Sequence, residues 1–197
     1  VLVADPFAGS GFAELALVDE PYDFRGTESA AYDLQLYLKG LGVPSLAALK
    51  QLTGASPFDA GEPLNWYAEA LPVLQASLAD PSLPPDLSEF QALRAAYRQI
   101  FQQVLDANGL DAMVLPQTTE ALPGLFSDGV ISETTVSALN IAGLPGLTVP
   151  AGQHAGNKAP FSLIFVGRPF SEATLLALGH DFEQATHWRV MPQLATA

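Results

Sequence analysis

Two apolar runs in the second half of the chain limit the fold most. "GLTVP" (Gly146–Pro150) and "FSLIFVG" (Phe161–Gly167) are short, bounded by glycine and proline, and joined by the turn-rich "AGQHAGNKAP". Short apolar runs between such breakers read as buried strands. A connection this brief leaves no room for a crossover helix, so the two should pair antiparallel through a long turn. Strands need a helical layer to bury their apolar faces. The chain offers one directly afterwards in "SEATLLALGHDFEQATHW", with Leu175, Leu178, Phe182 and Ala185 on one face and Ser171 as the cap.

The rest of the chain is mostly helical in pattern. The clearest helix should run from about Leu87 to Asn108, where Leu87, Phe90, Leu93, Tyr97, Ile100, Phe101, Val104 and Leu105 recur near period 3.6. Asp86 and Glu89 give its start the form of a capping box, and Gly109 ends it. "DAMVLP" then reads as a buried strand, followed by a loop to Ile131 and a helix over Ser132–Ile141. Upstream, a helix beginning near Thr27 carries Leu34, Leu38 and Leu41 on one face. A second helix runs from the cap Ser45 to Gly54, and residues 55–64 form a loop. "NWYAEALPVLQASLA" is helical but should break at Pro72. "VLVA" (Val1–Ala4) reads as a strand, and the tail "RVMPQLATA" as irregular. No linker divides the chain, so residues 1–197 are expected to form a single α/β or α+β domain.

Charge and composition remove several functions. Net charge is −13 with only 8 Lys and Arg, so no basic footprint for nucleic acid exists. The same balance disfavours anionic membranes, and no apolar run is long enough to span a bilayer. A soluble protein is expected, with the cytoplasm the favoured compartment. With no cysteine, disulfides, thiolate metal sites and a thiol nucleophile are excluded. His180, Glu183 and His187 share one helix, but their spacing fits no common metal motif, so no metal is expected. Ser10 in "FAGSG" lacks the spacing of a nucleophile elbow and reads as a turn residue. Lys39, Lys50 and Lys158 fall at helix ends or in a polar turn and are expected to be solvated, whereas a catalytic lysine must be desolvated. The more informative stretch is "LPQTTEALPG", which leaves a buried strand with Gln117, Thr118 and Thr119, where α/β sheets often line ligand sites.

Taken in order, "DAMVLPQTT", "ALNIAGLPGLTVPAG" and "GRPFSEATLLALGHDFEQATHW" resemble the C-terminal portion of the amidase-signature hydrolases, as does the upstream "YDLQLYLKGLGVPSLAALKQL". The resemblance covers residues 28 to 189 or so. It rests on Asn140, Gly143-Leu144-Pro145, Thr148-Val149-Pro150, Gly167-Arg168-Pro169-Phe170, Glu172 and Leu175-Leu176. It departs from the family pattern at Ser162 and Ile164, where a small residue and then glutamine are usual. The resemblance implies an α/β fold, the C-terminal part of the amidase-signature fold, with a mixed twisted sheet flanked by helices. It further implies a hydrolase that cleaves carboxamide C–N bonds with a serine nucleophile, a cis-serine relay and a lysine base, needing no cofactor. No Gly/Ser-rich double-serine segment occurs here, so no catalytic residue is assigned. The expectation is a C-terminal portion that is inactive alone and works with an N-terminal amidase portion on a small-molecule amide. Gln117, Thr118, Glu133 and Asn140 are the substrate-binding candidates, Glu133 standing about where some relatives place an acid for a substrate amine. For Glu133, stabilisation of a helix's first turn is the competing and favoured reading. The alternative function is a catalytically silent amidase-like binding or scaffold module.

Overall fold

The computed structural model describes residues 5–16, 25–70, 72–118, 120, 122–124, 126–129, 131, 134–156 and 158–189. By internal contacts the chain falls into two compact units, one comprising Val1–Pro21 with Arg94–Ala197, the other Tyr22–Leu93. The expected strand at Val1–Ala4 lies outside the described residues, as does the tail beyond Arg189.

The Tyr22–Leu93 unit is helical. It contains α2 (Ala30–Gly40), α3 (Leu46–Thr53), α4 (Asn65–Ala70) and α5 (Pro72–Ala79), with α1 (Phe12–Ala16) belonging to the other unit. Its core is Ala31, Leu38, Leu46, Phe58, Ala68 and Leu74. Local chemistry sets the helix ends. The Ser45 hydroxyl accepts the Ala48 N–H at 3.1 Å, and Gly54 takes the left-handed conformation that closes α3. Buried Gln35 of α2 accepts the Leu46 N–H, satisfying another free donor of the α3 start. Helical residues lie on both sides of the expected break at Pro72, in α4 and α5, and the residue between them, Leu71, lies outside the described residues. Leu41 does not join the apolar face. The α2 helix stops at Gly40, so Leu41 sits past its last turn and is exposed.

Three aspartates of this unit, half-buried Asp59 and exposed Asp80 and Asp86, are held below the usual carboxylate range by hydrogen bonds. Asp59 accepts from the Ser56 N–H and from Lys50, Asp80 from the hydroxyl and N–H of Ser82, and Asp86 from the Ser88 N–H. Each folded value lies below the unfolded value of about 3.9. The stabilisation is therefore complete above that range and is lost as pH falls through the lowered folded values. The urea midpoint should drop as pH falls below about 5 and through the lowered folded values. A variant with all three changed to asparagine should show a flatter profile over the same window, and an unchanged profile would remove these caps from the stability account.

The Asp86 bond also differs from a capping box, since it reaches Ser88 rather than Glu89. The long helix α6 spans Ser88–Ala107, close to expectation, and buries Tyr97, Ile100, Phe101, Val104 and Leu105 on one face. In the Val1–Pro21 and Arg94–Ala197 unit, Phe7 and Phe12 pack edge-on against Phe101.

The sheet consists of β1 (Ala112–Pro116), β2 (Gly146–Gln153) and β3 (Pro160–Gly167) in the order β1-β3-β2. The expected hairpin is present: β2 pairs antiparallel with β3, and so does β1. Helices and a sheet combine as the α/β reading implied, with the three described strands all antiparallel. Proline distribution explains the order. A proline cannot donate to a ladder, so Pro116 and Pro150 lie on the two outer strands, while the central β3 has its proline only at its first residue. Between Pro150 and Gly152 the register shifts through an irregularity, and Gly152 at φ 133° takes a conformation closed to other residues.

The two sheet faces differ. Leu147, Val149, Leu163 and Phe165 point to one side and pack on Leu175, Leu178 and Phe182 of α8 (Glu172–Thr186). Contact is closest at Gly179, where an added Cβ would collide with Leu147 Cδ2 and lie 3.4 Å from Val149 Cγ1. In an exposed helix Gly→Ala usually gains about 0.5–1 kcal/mol. Here the Leu147 tip must yield, so Gly179→Ala should be close to neutral. Gly179→Val adds branches that cannot be accommodated and should cost about 1–3 kcal/mol, read as a lower urea midpoint. A valine variant as stable as the parent would show that α8 does not approach β2 this closely.

Candidate functional site

The opposite sheet face grades from apolar to polar. Met113, Ile164 and Val166 are buried at one end. Towards the other end, the alternation of side chains places Gln117, Thr148 and Ser162 on this same face. The Gln117 N–H extends the ladder to the Ser162 carbonyl at 3.4 Å. The Thr148 hydroxyl reaches the Gln117 Oε1 at 3.4 Å, linking β2 to the end of β1 across β3.

The chain returns to this end after its loop. Thr118 forms an isolated antiparallel bridge with Thr134, the Thr135 N–H donates to the Gln117 carbonyl, and the Thr135 hydroxyl donates to Pro116 O at 2.6 Å. Backbone on both sides thus fixes Gln117 and Thr118, while the Gln117 amide nitrogen has no partner among the described residues. Asn140 lies on α7 (Val136–Ala142), a helix shorter at its start than expected. Its side chain is exposed and makes no hydrogen bond to Gln117 or Thr118 among the described residues. Glu133 and Thr119 lie outside the described residues.

The glycines around this wall have specific tasks. Gly143 ends α7 at φ 63°, and a Cβ there would come within 2.8 Å of the Arg94 guanidinium and 3.2 Å of that of Arg98. Arg98 donates from Nε to the Ala142 carbonyl, satisfying an end carbonyl of α7 and placing positive charge where the helix dipole is negative. In the Gly-Arg-Pro-Phe turn, Arg168 pairs with Asp106 of α6 at 2.8 Å and reaches the Leu110 carbonyl. A Cβ at Gly167 would collide with the Ser171 hydroxyl, which donates to the Arg168 carbonyl.

Ser10, the lysines and the histidines form no nucleophile–base pair among the described residues. The Ser10 hydroxyl donates to the Phe7 carbonyl at 2.6 Å and accepts the Phe12 N–H at 3.2 Å. It is a turn serine, although a short helix, α1, does follow it. Lys50 is paired with Asp59, and Lys39 and Lys158 are exposed. His180 lies 3.6 Å from Asp181 with both side chains exposed, His154 packs edge-on against Phe161, and His187 ends α8 in the left-handed conformation. No group of three or more metal-ligating side chains occurs among the described residues. None of the described helices is long and apolar enough to cross a membrane.

Thr148, Thr135 and the Arg94/Arg98 pair were not among the site candidates named from sequence. For Thr148 a signal existed, as the polar member of an apolar strand. For Thr135 and the arginines, the significance comes from what the fold brings to them.

No known family model matches the chain. It is 37% identical over 102 residues to a component of the glutamyl-tRNA(Gln) amidotransferase of Afipia carboxidovorans, a match covering 48% of this chain and 20% of the relative. The chain spans about a fifth of the length of the curated relatives it matches. Among solved structures it superposes on the native peptide amidase from Stenotrophomonas maltophilia with a TM-score of 0.58 at 30% identity, covering 86% of this chain and 34% of that one. It shares its fold with a bacterial aryl acylamidase belonging to the amidase-signature enzymes, with a TM-score of 0.54 at 19% identity, covering 84% of this chain and 33% of that one.

Proposed function

We propose, from a chain related in sequence and fold to the amidase-signature enzymes, that these 197 residues are the C-terminal portion of an amidase-type serine hydrolase. They form one wall of the amide pocket. The nucleophilic serine, the cis-serine relay and the lysine base belong to chain outside them. Gln117, Thr118 and Asn140 face the substrate; Glu133 would be the acid for an amine on it only if it is not spent on the start of the following helix, the reading its sequence position favours. On this reading residues 1–197 act as a single structural part of a longer catalytic domain.

The observation that carries the reading is the polar end of the sheet. Gln117 is fixed through its backbone on both sides, yet its amide nitrogen has no partner among the described residues and would be available to donate to a carbonyl. Free donors on a rigid strand end suit the binding of an amide better than a structural role would. A second support is apolar exposure. Phe126, Phe170 and Leu176 are 98%, 95% and 61% exposed, and Phe170 holds a left-handed conformation. Further chain packed over these side chains would remove their apolar surface from water.

The deciding experiment treats the native gene product and the isolated chain with a serine-reactive fluorophosphonate and maps the adduct by mass spectrometry. The adduct should fall on a serine outside these residues. Labelling at Ser10 would overturn the reading. A native product of only 197 residues that binds an amide without cleaving it would favour a silent binding module instead.

A further inference from the structure

We propose that the cleft beside Arg94 and Arg98 binds a small organic monocarboxylate. It has a volume of about 400 Å³, within the usual small-molecule range, and lies wholly inside the unit comprising Val1–Pro21 with Arg94–Ala197. It is separate from the amide wall. Pro145 and Pro169 line it, so it opens where β2 begins and β3 has ended, whereas Gln117 stands at the other end of the sheet.

The two arginines stand one turn apart on α6, and both guanidinium groups come to one place. The point that a Cβ on Gly143 would occupy lies 2.8 Å from Nη2 of Arg94 and 3.2 Å from Nη2 of Arg98. Gly143 is what leaves room for both. The chain has a net charge of −13 and only 8 Lys and Arg, so acids to pair with are plentiful, yet two of its cations converge here. Both are half-buried, where like charges repel more strongly than in open water. Glu172 lines the same cleft but pairs with neither arginine among the described residues.

Capping of α7 accounts for one arginine and not for two. Arg98 donates from Nε to the Ala142 carbonyl, which fixes its guanidinium and leaves its two terminal nitrogens without a hydrogen bond among the described residues. Arg94 makes no hydrogen bond or ion pair among the described residues, although it too is half-buried. Groups partly withdrawn from water are normally partnered. An oxyanion held between the two guanidinium groups supplies partners to both and replaces their repulsion by attraction.

Charge and lining select the anion. Glu172 at the same cleft and the strongly acidic chain both oppose a dianion such as phosphate more than a single negative charge. Leu144 and Pro145 are half-buried and give the cleft an apolar side, which suits a hydrocarbon body. An alkyl or aralkyl monocarboxylate satisfies both, whereas inorganic phosphate meets only the arginines.

The test titrates the 197-residue chain with sodium phenylacetate at low salt, following calorimetry and backbone amide shifts. 2-Phenylethanol, sodium acetate and inorganic phosphate serve as comparisons. Phenylacetate should bind at least about ten-fold more tightly than phenylethanol and weaken as salt rises. Acetate and phosphate should both bind more weakly than phenylacetate. Shifts should centre on Gly143 and Leu144. R94Q should weaken phenylacetate about ten-fold while Tm holds or rises, because Arg94 makes no bond in the fold and repels Arg98. R94K keeps the charge without the fork and should fall between the parent and R94Q. Equal affinity for phenylethanol, phosphate saturating the same amides at lower concentration, or an R94Q variant with a lower Tm and unchanged binding would each overturn the assignment. Shifts centred on Gln117 and Thr118 would also overturn it, by placing the carboxylate on the amide wall. These outcomes are independent of whether the longer protein cleaves amides.

Discussion

Incubated alone with a peptide amide or an anilide, the 197-residue chain is expected to release no product above the buffer rate. Joined to the longer protein, the same residues should contribute to a rate at least about 10⁶-fold higher, the lower end of ordinary enzymatic acceleration. The physical reason is the state of each candidate reactive group. Amide hydrolysis requires an activated nucleophile and donors placed for the developing oxyanion. Ser10 has its proton on the Phe7 carbonyl and a backbone N–H on its oxygen, so no base stands ready to activate it. The Lys50 ammonium is held by Asp59, and Lys39 is exposed, with no serine shown beside it among the described residues. The wall residues should behave differently in the complete protein. Gln117→Ala there should raise KM more than it lowers kcat if the amide only positions substrate. An equal loss in kcat and kcat/KM would mean that Gln117 acts in the transition state, and no loss at all would remove it from the pocket. Turnover by the isolated chain would refute the proposed division of labour.

The elements legible in advance were those whose signal is local. The α6 period, the Ser45 cap and the β2–β3 hairpin each depend on a few neighbouring residues, and each formed close to its expected place. Boundaries drifted where no cap was present in the sequence. The α7 helix begins at Val136 with Thr135 making no side-chain cap, because its hydroxyl is engaged by the Pro116 carbonyl. That long-range bond is invisible in a local pattern. The same holds for the candidate site. Gln117 and Thr118 could be singled out because they are polar and leave a buried strand. Their link to Thr148 depends on β3 lying between β1 and β2, an order that sequence alone does not specify. The role of Gly179 was hidden likewise, since a glycine inside a helix looks like a weakness until the sheet beneath it is in view.

Replacing Phe101 by alanine should be the most destabilising single change argued from the structure. Phe101 is 2% exposed and stands at the centre of an aromatic group. Phe7 and Phe12 stack at 4.3 Å, and their rings meet Phe101 edge-on at 5.4 and 5.9 Å, while Phe12 also meets Tyr97 at 5.8 Å. Removing a buried phenylalanine costs about 3–5 kcal/mol through lost burial and the cavity left behind. Each edge-on pair adds about 0.5–1.5 kcal/mol beyond area. Against a typical total of about 5–15 kcal/mol, the loss is a large share of the stability. It should also be local in its first effect. Segment 5–16 reaches α6 through Phe7 and Phe12, so Phe101→Ala should raise its amide exchange before the sheet loosens. Phe12→Ala is the milder partner for a double-mutant cycle, and the pair should couple by about 0.5–1.5 kcal/mol. Strict additivity would show that the two rings do not touch, and the N-terminal segment would then need another anchor on α6.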